Sequence, residues 1–521
     1  MATSRRRSRH DGVLAGLNTM SQEVEIVDAF ASYGSDTSGI NMVIIGDIGR
    51  GKSAWIKTVC VLRQLVADRQ VVILDKKPQA GVGEYTPLAK ALGAESIRFR
   101  IGGSGGACLN LLDPAISARG DHHGGLDGVV PAGQEALVIA VLTDAMGRPL
   151  DEREKAAVGA GLSAVTSEAR RTGRDPVIRD LAMRLLDPHT DDGAGFGARW
   201  SQRALEWGVE PGLALLRLAE RDLCGLVDAP TSPAVRDALD THPLVHFDLS
   251  ALPTDGPALR VVMTTANTWL ANKLAGRSSR YQQTILVVEE GWHVAAGSTG
   301  EVFRGNAKLS RGLGLSTVAA FHHPADQPPD SPARALMSEA SIVVLFGQAR
   351  FDDAAETVRL YRLPAGTEDI LMRLGRGQAL VKIGSRDPFL ITHLRSPQEV
   401  LLTDTDAAIT GIPGGTTPSE CPRTHPDGAG VHAGPRPCGG SEPRPVESAG
   451  QPAVNEASAL CEPTVAPEPN DEAPAGDSAT NGSKSVGPLT ASVQPVASSA
   501  QDDPAEHGDA GHGTALTGSG A

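Results

Sequence analysis

One segment has residue types and spacing that point directly to phosphate chemistry. Residues 46–53 read Gly46-Asp47-Ile48-Gly49-Arg50-Gly51-Lys52-Ser53, which fits G-x-x-x-x-G-K-[ST]. Glycines let a backbone loop close around phosphate oxygens. A helix starting at the end of such a loop aims unpaired N–H groups and a partial positive charge at them. In that geometry the Lys52 ammonium reaches the β- and γ-phosphates of a nucleoside triphosphate, and the Ser53 hydroxyl ligates Mg²⁺. The expected nucleotide contacts are Gly46, Asp47, Ile48, Gly49, Arg50, Gly51, Lys52, Ser53 and Ala54, with ATP and Mg²⁺ as the cofactors.

A second segment supplies acid and base. The apolar run Thr284–Val288 ends in Glu289-Glu290, followed by Gly291-Trp292. A β-prone run closed by paired carboxylates has the layout of a Walker B strand. The first carboxylate, Glu289, is expected to hold Mg²⁺ through its water shell, and Glu290 to act as general base on the attacking water. Glu289 stands where Asp is usual. The plainer reading is a strand followed by a solvated acidic turn.

The flanking elements suit these roles. Residues 42–45 are a short β-prone run, 52–66 carry apolar residues at helical spacing, and 71–74 are a second apolar run. Strand, loop, helix and strand form a βαβ unit and imply a parallel sheet. A further strand is expected at 97–101. From 115 to 230 the β-signal disappears, and helices are expected at 134–145, 151–171, 176–186 and 211–223, with Asp175 as N-cap and Pro176 at the first position of the third. Strands resume at 245–249, 284–288, 316–321, 341–346 and 379–383, with a helix at 257–275. The expected organisation is a polar segment (1–37), a first core part (38–114), an all-helical insertion (115–230), a second core part (231–405) and a tail (406–521).

Composition bounds the partners. The 521 residues carry a net charge of −14, which excludes a uniformly basic nucleic-acid coat but not a local basic pore. The tail alone contributes −11, holds 16 of the 36 prolines, and contains no Phe, Tyr or Trp. Such a segment cannot bury enough apolar surface to offset its ordering entropy, so 406–521 is expected to be disordered. The six cysteines include no CxxC pair and three fall in the tail, which argues against a disulfide framework and for a reducing cytoplasm. No apolar run approaches the ~20 residues that span a bilayer. The Arg-rich start, 1–10, is not followed by a secretory signal's apolar stretch.

The set 44–53, Leu74-Asp75-Lys76-Lys77, Glu84-Tyr85, Leu109-Asn110-Leu111-Leu112-Asp113-Pro114, Phe247-Asp248-Leu249-Ser250 and Val287-Val288-Glu289-Glu290-Gly291-Trp292 resembles the ATPase core of conjugation and type IV secretion ATPases. These belong to the FtsK/HerA branch of P-loop motors. The resemblance covers roughly 38–405. It implies an α/β, RecA-like P-loop NTPase sheet flanked by helices, with an all-helical insertion. It also implies a hexameric ring of identical subunits, cytoplasmic or peripheral at the inner face of the membrane without inserting into it. DNA or a DNA–relaxase complex would be the cargo, and the channel proteins of the membrane complex would be indirect partners.

Two departures from the family pattern stand out. The domain with which larger members dock on the channel has no counterpart in the roughly 40 residues before the P-loop. The strand after Walker B, where the family places a polar sensor that is often Gln, ends here at His322-His323-Pro324. His322 is expected to take the sensor's place. Ring motors complete each site with an arginine from the neighbouring subunit; Arg304, Arg311 and Arg376 are the candidates, each with solvated surface arginine as its plainer reading. Asp121-His122-His123 reads as a solvated loop, and a metal site at His322, His323 and Asp326 suits the P-loop context poorly. The alternatives to a transfer motor are a soluble DNA translocase of the FtsK/HerA type and a nucleotide-binding scaffold with low turnover. A nucleotide or metabolite kinase fits the insertion poorly.

Overall fold

Short aliphatic runs build the strands of this chain, because residues apolar on both faces are stable only between two helical layers. The computed structural model describes residues 12–102, 105–116, 130–192, 197, 199–276, 283–291 and 296–403. The expectations for the tail, for Asp121-His122-His123 and for Trp292 lie outside the described residues.

The strands are β1 (Leu14–Asn18), β2 (Val24–Ile26), β3 (Met42–Ile45), β4 (Gln70–Asp75), β5 (Pro78–Gln79), β6 (Val82–Gly83), β7 (Ser96–Arg98), β8 (Leu244–Asp248), β9 (Thr284–Val288), β10 (Leu315–Phe321), β11 (Ile342–Phe346), β12 (Gln378–Ile383) and β13 (Phe389–His393). Eleven of them form one sheet in the order β2-β1-β13-β12-β11-β3-β10-β9-β4-β8-β7, and β5 and β6 form a separate ribbon. From β11 to β7 every neighbouring pair is parallel; from β11 to β2 every pair is antiparallel.

The two faces of the sheet carry separate cores. Val43 and Ile45 join Val72, Leu74, Leu286 and the helices of the insertion. Met42 and Ile44 pack instead with Trp55, Ile56, Val59, Val71 and Ile73. Alternation within a four-residue strand thus assigns β3 to both layers. The described elements between β7 and β8 are all helical, among them Gln134–Met146, Glu152–Thr172, Ile178–Leu186 and Trp200–Arg217. Glu152–Thr172 starts at a capping box between Asp151 and Glu154 and ends at Gly173 in the left-handed conformation.

Several expectations need correction. The third insertion helix starts at Ile178, not at Pro176, and its N-cap is Val177. The Asp180 carboxylate accepts the Val177 N–H at 3.0 Å, so the capping acid comes from inside the first turn and not from Asp175. The fourth helix starts at Trp200 and runs through Pro211. Ala204, Gly208, Pro211, Gly212 and Leu215 form its buried face, and that packing outweighs the lost hydrogen bond. The segment 1–37 is not merely a polar entry. Its β1 pairs antiparallel with β13, a strand that weak periodicity concealed, and both widen the sheet beyond β12.

Candidate nucleotide site

Parallel strands place all their C-terminal ends on one edge of the sheet. β3 lies between β10 and β11, with β9 beyond β10 and β4 beyond β9. The loops after these five strands therefore meet, bringing residues 46–53, 76–77, 289–290, 322–323 and 347–350 together.

Two glycines show why the loop after β3 has its composition. Gly46 has φ +150°, and a Cβ there would sit 2.7 Å from Phe346 Cβ. Gly51 has φ +105° and precedes the helix over 52–66, which is α-helical at Lys52–Trp55, widens to π geometry at Ile56–Leu62 and is α-helical again at Arg63–Val66. At the crest, a Cβ on Gly49 would meet no protein atom within 4 Å, so the loop faces open space there. The loop is fastened from behind. Arg50 Nη1 donates to Leu374 O at 3.3 Å, the Gly377 N–H donates to Arg50 O at 3.0 Å, and the Ala349 N–H donates to Asp47 Oδ2 at 2.6 Å.

Lys52 is buried, and its ammonium donates to Gly46 O at 2.5 Å and Asp47 O at 2.8 Å. It also lies 3.0 Å from His322 Nδ1, while His322 Nε2 lies 3.2 Å from Glu290 Oε1. These partners dictate the tautomer. A charged Lys52 can only donate, so Nδ1 accepts, and Nε2–H donates to the Glu290 carboxylate. The neutral imidazole thus links the P-loop lysine to the expected base. Glu290 has φ +60°. A left-handed backbone costs a non-glycine residue roughly 1–2 kcal/mol, and strain of this kind concentrates where a side chain must be aimed.

Glu289 points elsewhere. It is buried, and its Oε1 accepts the Tyr85 hydroxyl at 2.6 Å. Burial, followed by the neighbouring Glu84 charge, pushes its carboxyl up to about 7. Burial also lowers Lys52 to about 8, against the attraction of Glu289 and Glu290. Glu289 takes up a proton as pH falls through about 7, and Lys52 loses one as pH rises through about 8.

Ser53 Oγ lies 3.4 Å from Lys77 Nζ, which pairs with Glu84 Oε2 at 2.7 Å; Lys57 Nζ holds Glu84 Oε1 at 2.9 Å. Sequence reasoning gave Lys57, Lys77, Glu84 and Tyr85 no role. The available signal was Lys57, a charge set among the apolar residues 54–61, which turns out to be fully buried. His323 Nδ1 is held by Asp353 at 2.8 Å, with Asp47 Oδ1 at 4.0 Å; Asp326 pairs instead with Arg350.

The three arginines lie apart. Arg304 pairs with Glu301 and Glu339 of its own chain. Arg311, on the turn Ser310–Leu313 just before β10, is at the opposite edge of the sheet from the phosphate loop. Arg376 precedes Gly377, whose N–H binds Arg50 O, so it adjoins the P-loop of its own subunit.

The His322 geometry carries a test. Glutamine can accept from Lys52 and donate to Glu290 just as the neutral imidazole does. His322→Gln should retain most nucleotide hydrolysis, whereas His322→Ala should lose roughly tenfold or more. Equal rates for the two variants in a steady-state phosphate-release assay would remove the linking role.

No protein-family model matches the chain, and no curated protein is a sequence match. Among solved structures, VirB4 of Thermoanaerobacter pseudethanolicus aligns with a TM-score of 0.58 at 19% identity, covering 76% of this chain and 99% of that chain. The bacterial conjugative coupling protein TrwB is more distant, with a TM-score of 0.43 at 15% identity over 74% of this chain and 93% of that chain. The fold shared with VirB4 bears out the expected α/β class, a mostly parallel sheet flanked by helices.

Proposed function

We propose that this chain is a Mg²⁺-dependent ATPase motor that powers conjugative DNA transfer or type IV secretion as a ring of identical subunits. The observation that carries the ATPase reading is the hydrogen-bonded series from Lys52 through His322 to Glu290 beside an open glycine loop. The likeness in fold to VirB4 supports the motor class. The donor set suits a metal-bound triphosphate: an ammonium, a helix N-terminus, and hard oxygen donors at Ser53 and Glu289. Bound through these oxygens, Mg²⁺ would neutralise phosphate charge. Lys52 turns from its loop carbonyls to the phosphates, Glu290 accepts the proton of the attacking water, and His322 holds Glu290 in place.

Among the described residues no helix is long and apolar enough to cross a membrane. We place the protein in the cytoplasm, peripheral at the inner face of the membrane when it serves a channel. DNA or a DNA–relaxase complex is the proposed cargo.

A site completed by a neighbour makes hydrolysis depend on assembly. Activity per subunit should rise with protein concentration, and further with DNA present. Arg304, Arg311 and Arg376 should be changed singly to Ala; the residue that acts across the interface loses turnover and keeps ATP affinity. Arg304 must first leave its own-chain glutamates to do so, and Arg376 is better placed to serve its own subunit's site. Full activity in a strictly monomeric sample would reject the ring and favour a non-motor nucleotide switch.

A further inference from the structure

The metal end of the site already contains a positive charge of the protein's own. Lys77 Nζ lies 3.4 Å from Ser53 Oγ, the hydroxyl that a P-loop offers to Mg²⁺, and 2.7 Å from Glu84 Oε2. Its side chain is 41% exposed, whereas those of Glu84 and Lys57 are 2% exposed. Lys77 is therefore the member of the group that is open to solvent. Glu84 binds both lysines through different oxygens, Lys57 at 2.9 Å. Withdrawal of Lys77 leaves Glu84 still paired, so its departure does not orphan a buried carboxylate. Glu84 thus holds a cation beside the Ser53 hydroxyl.

We propose that Lys77 is a resident counter-cation of the site, seated between Glu84 and Ser53, which competes with Mg²⁺ for the Ser53 hydroxyl. An ammonium 3.4 Å from the hydroxyl that would hold Mg²⁺ repels that ion. With a metal held at Ser53, Lys77 would give way toward solvent and Glu84 would keep Lys57 as its partner. Without metal, the ammonium stays and helps to hold the phosphates. Lys77 is a positioning residue in this scheme, and the scheme rests on the nucleotide reading above.

The test uses the full chain with a non-hydrolysable ATP analogue and Mn²⁺, read by electron paramagnetic resonance of free Mn²⁺. A fluorescent nucleotide reports binding in chelator. In Lys77→Met, Mn²⁺ should bind roughly threefold or more tightly, and chelator-phase nucleotide affinity should fall by a similar factor. Lys77→Arg keeps the charge and should behave like the parent protein, which separates a charge effect from a packing defect. Mn²⁺ affinity unchanged or weakened in a folded Lys77→Met protein that still binds nucleotide overturns the competition. Absence of nucleotide binding in the unaltered protein, with and without Mn²⁺, overturns the nucleotide reading and the Lys77 role together.

Discussion

Glu290→Gln should bind ATP with near-normal affinity and hydrolyse it roughly 10²- to 10⁴-fold more slowly, the range contributed by a positioned general base. The amide keeps the shape of the side chain, and its carbonyl oxygen still accepts from His322 Nε2, which in the parent lies 3.2 Å from the carboxylate. What it loses is the ability to take a proton from water. Glu289→Gln should fail differently. Its amide oxygen can still accept from Tyr85, which holds the parent carboxylate at 2.6 Å, but the charge that acts on Lys52 and Lys77 is gone. Metal-dependent nucleotide binding should weaken before turnover does. A fluorescent-nucleotide titration beside a single-turnover assay separates the two defects. Normal hydrolysis in both variants would reduce the acidic pair to a turn.

Lys52→Ala should abolish turnover and weaken ATP binding by roughly tenfold to a hundredfold, the worth of a charge-assisted hydrogen bond to phosphate. The structure adds a second consequence. Burial holds Lys52 at about 8, below its ordinary value, so the folded state disfavours the charge that the phosphates require. By linkage, a lysine whose folded value lies below its unfolded value costs stability wherever pH is low enough to keep it charged. Removing it should leave the thermal midpoint level or raised. Calorimetry beside nucleotide titration checks both halves. Hydrolysis at the parent rate would sink the P-loop assignment, and a lowered midpoint would contradict the burial argument.

The P-loop, the acidic pair and His322 were legible because each lies on contiguous residues at the end of an apolar strand. A phosphate-binding loop needs glycines, a lysine and a hydroxyl in fixed succession, so the candidate loop is marked locally in 46–53. The ion-pair group behind Ser53 was not legible as a site. Lys57, Lys77 and Glu84 lie on a helix, a loop and a ribbon end, and nothing local marks which lysine faces which acid. The left-handed backbone of Glu290 was equally hidden, since glutamate carries no preference for it. The same reason explains β1 and β13. Leu14–Asn18 and Phe389–His393 become strands by pairing with each other and with β12, because short segments of weak periodicity gain order only from a partner. The fold class, and the positions of the glycine loop and of the paired glutamates at strand ends, could be read from the sequence, because backbone preference acts over a few neighbouring residues. Tertiary structure alone decided that Lys52, His322 and Glu290 share a hydrogen-bonded line and that Glu289 is buried against Tyr85. Those contacts depend on strand order in the sheet, which long-range packing selects.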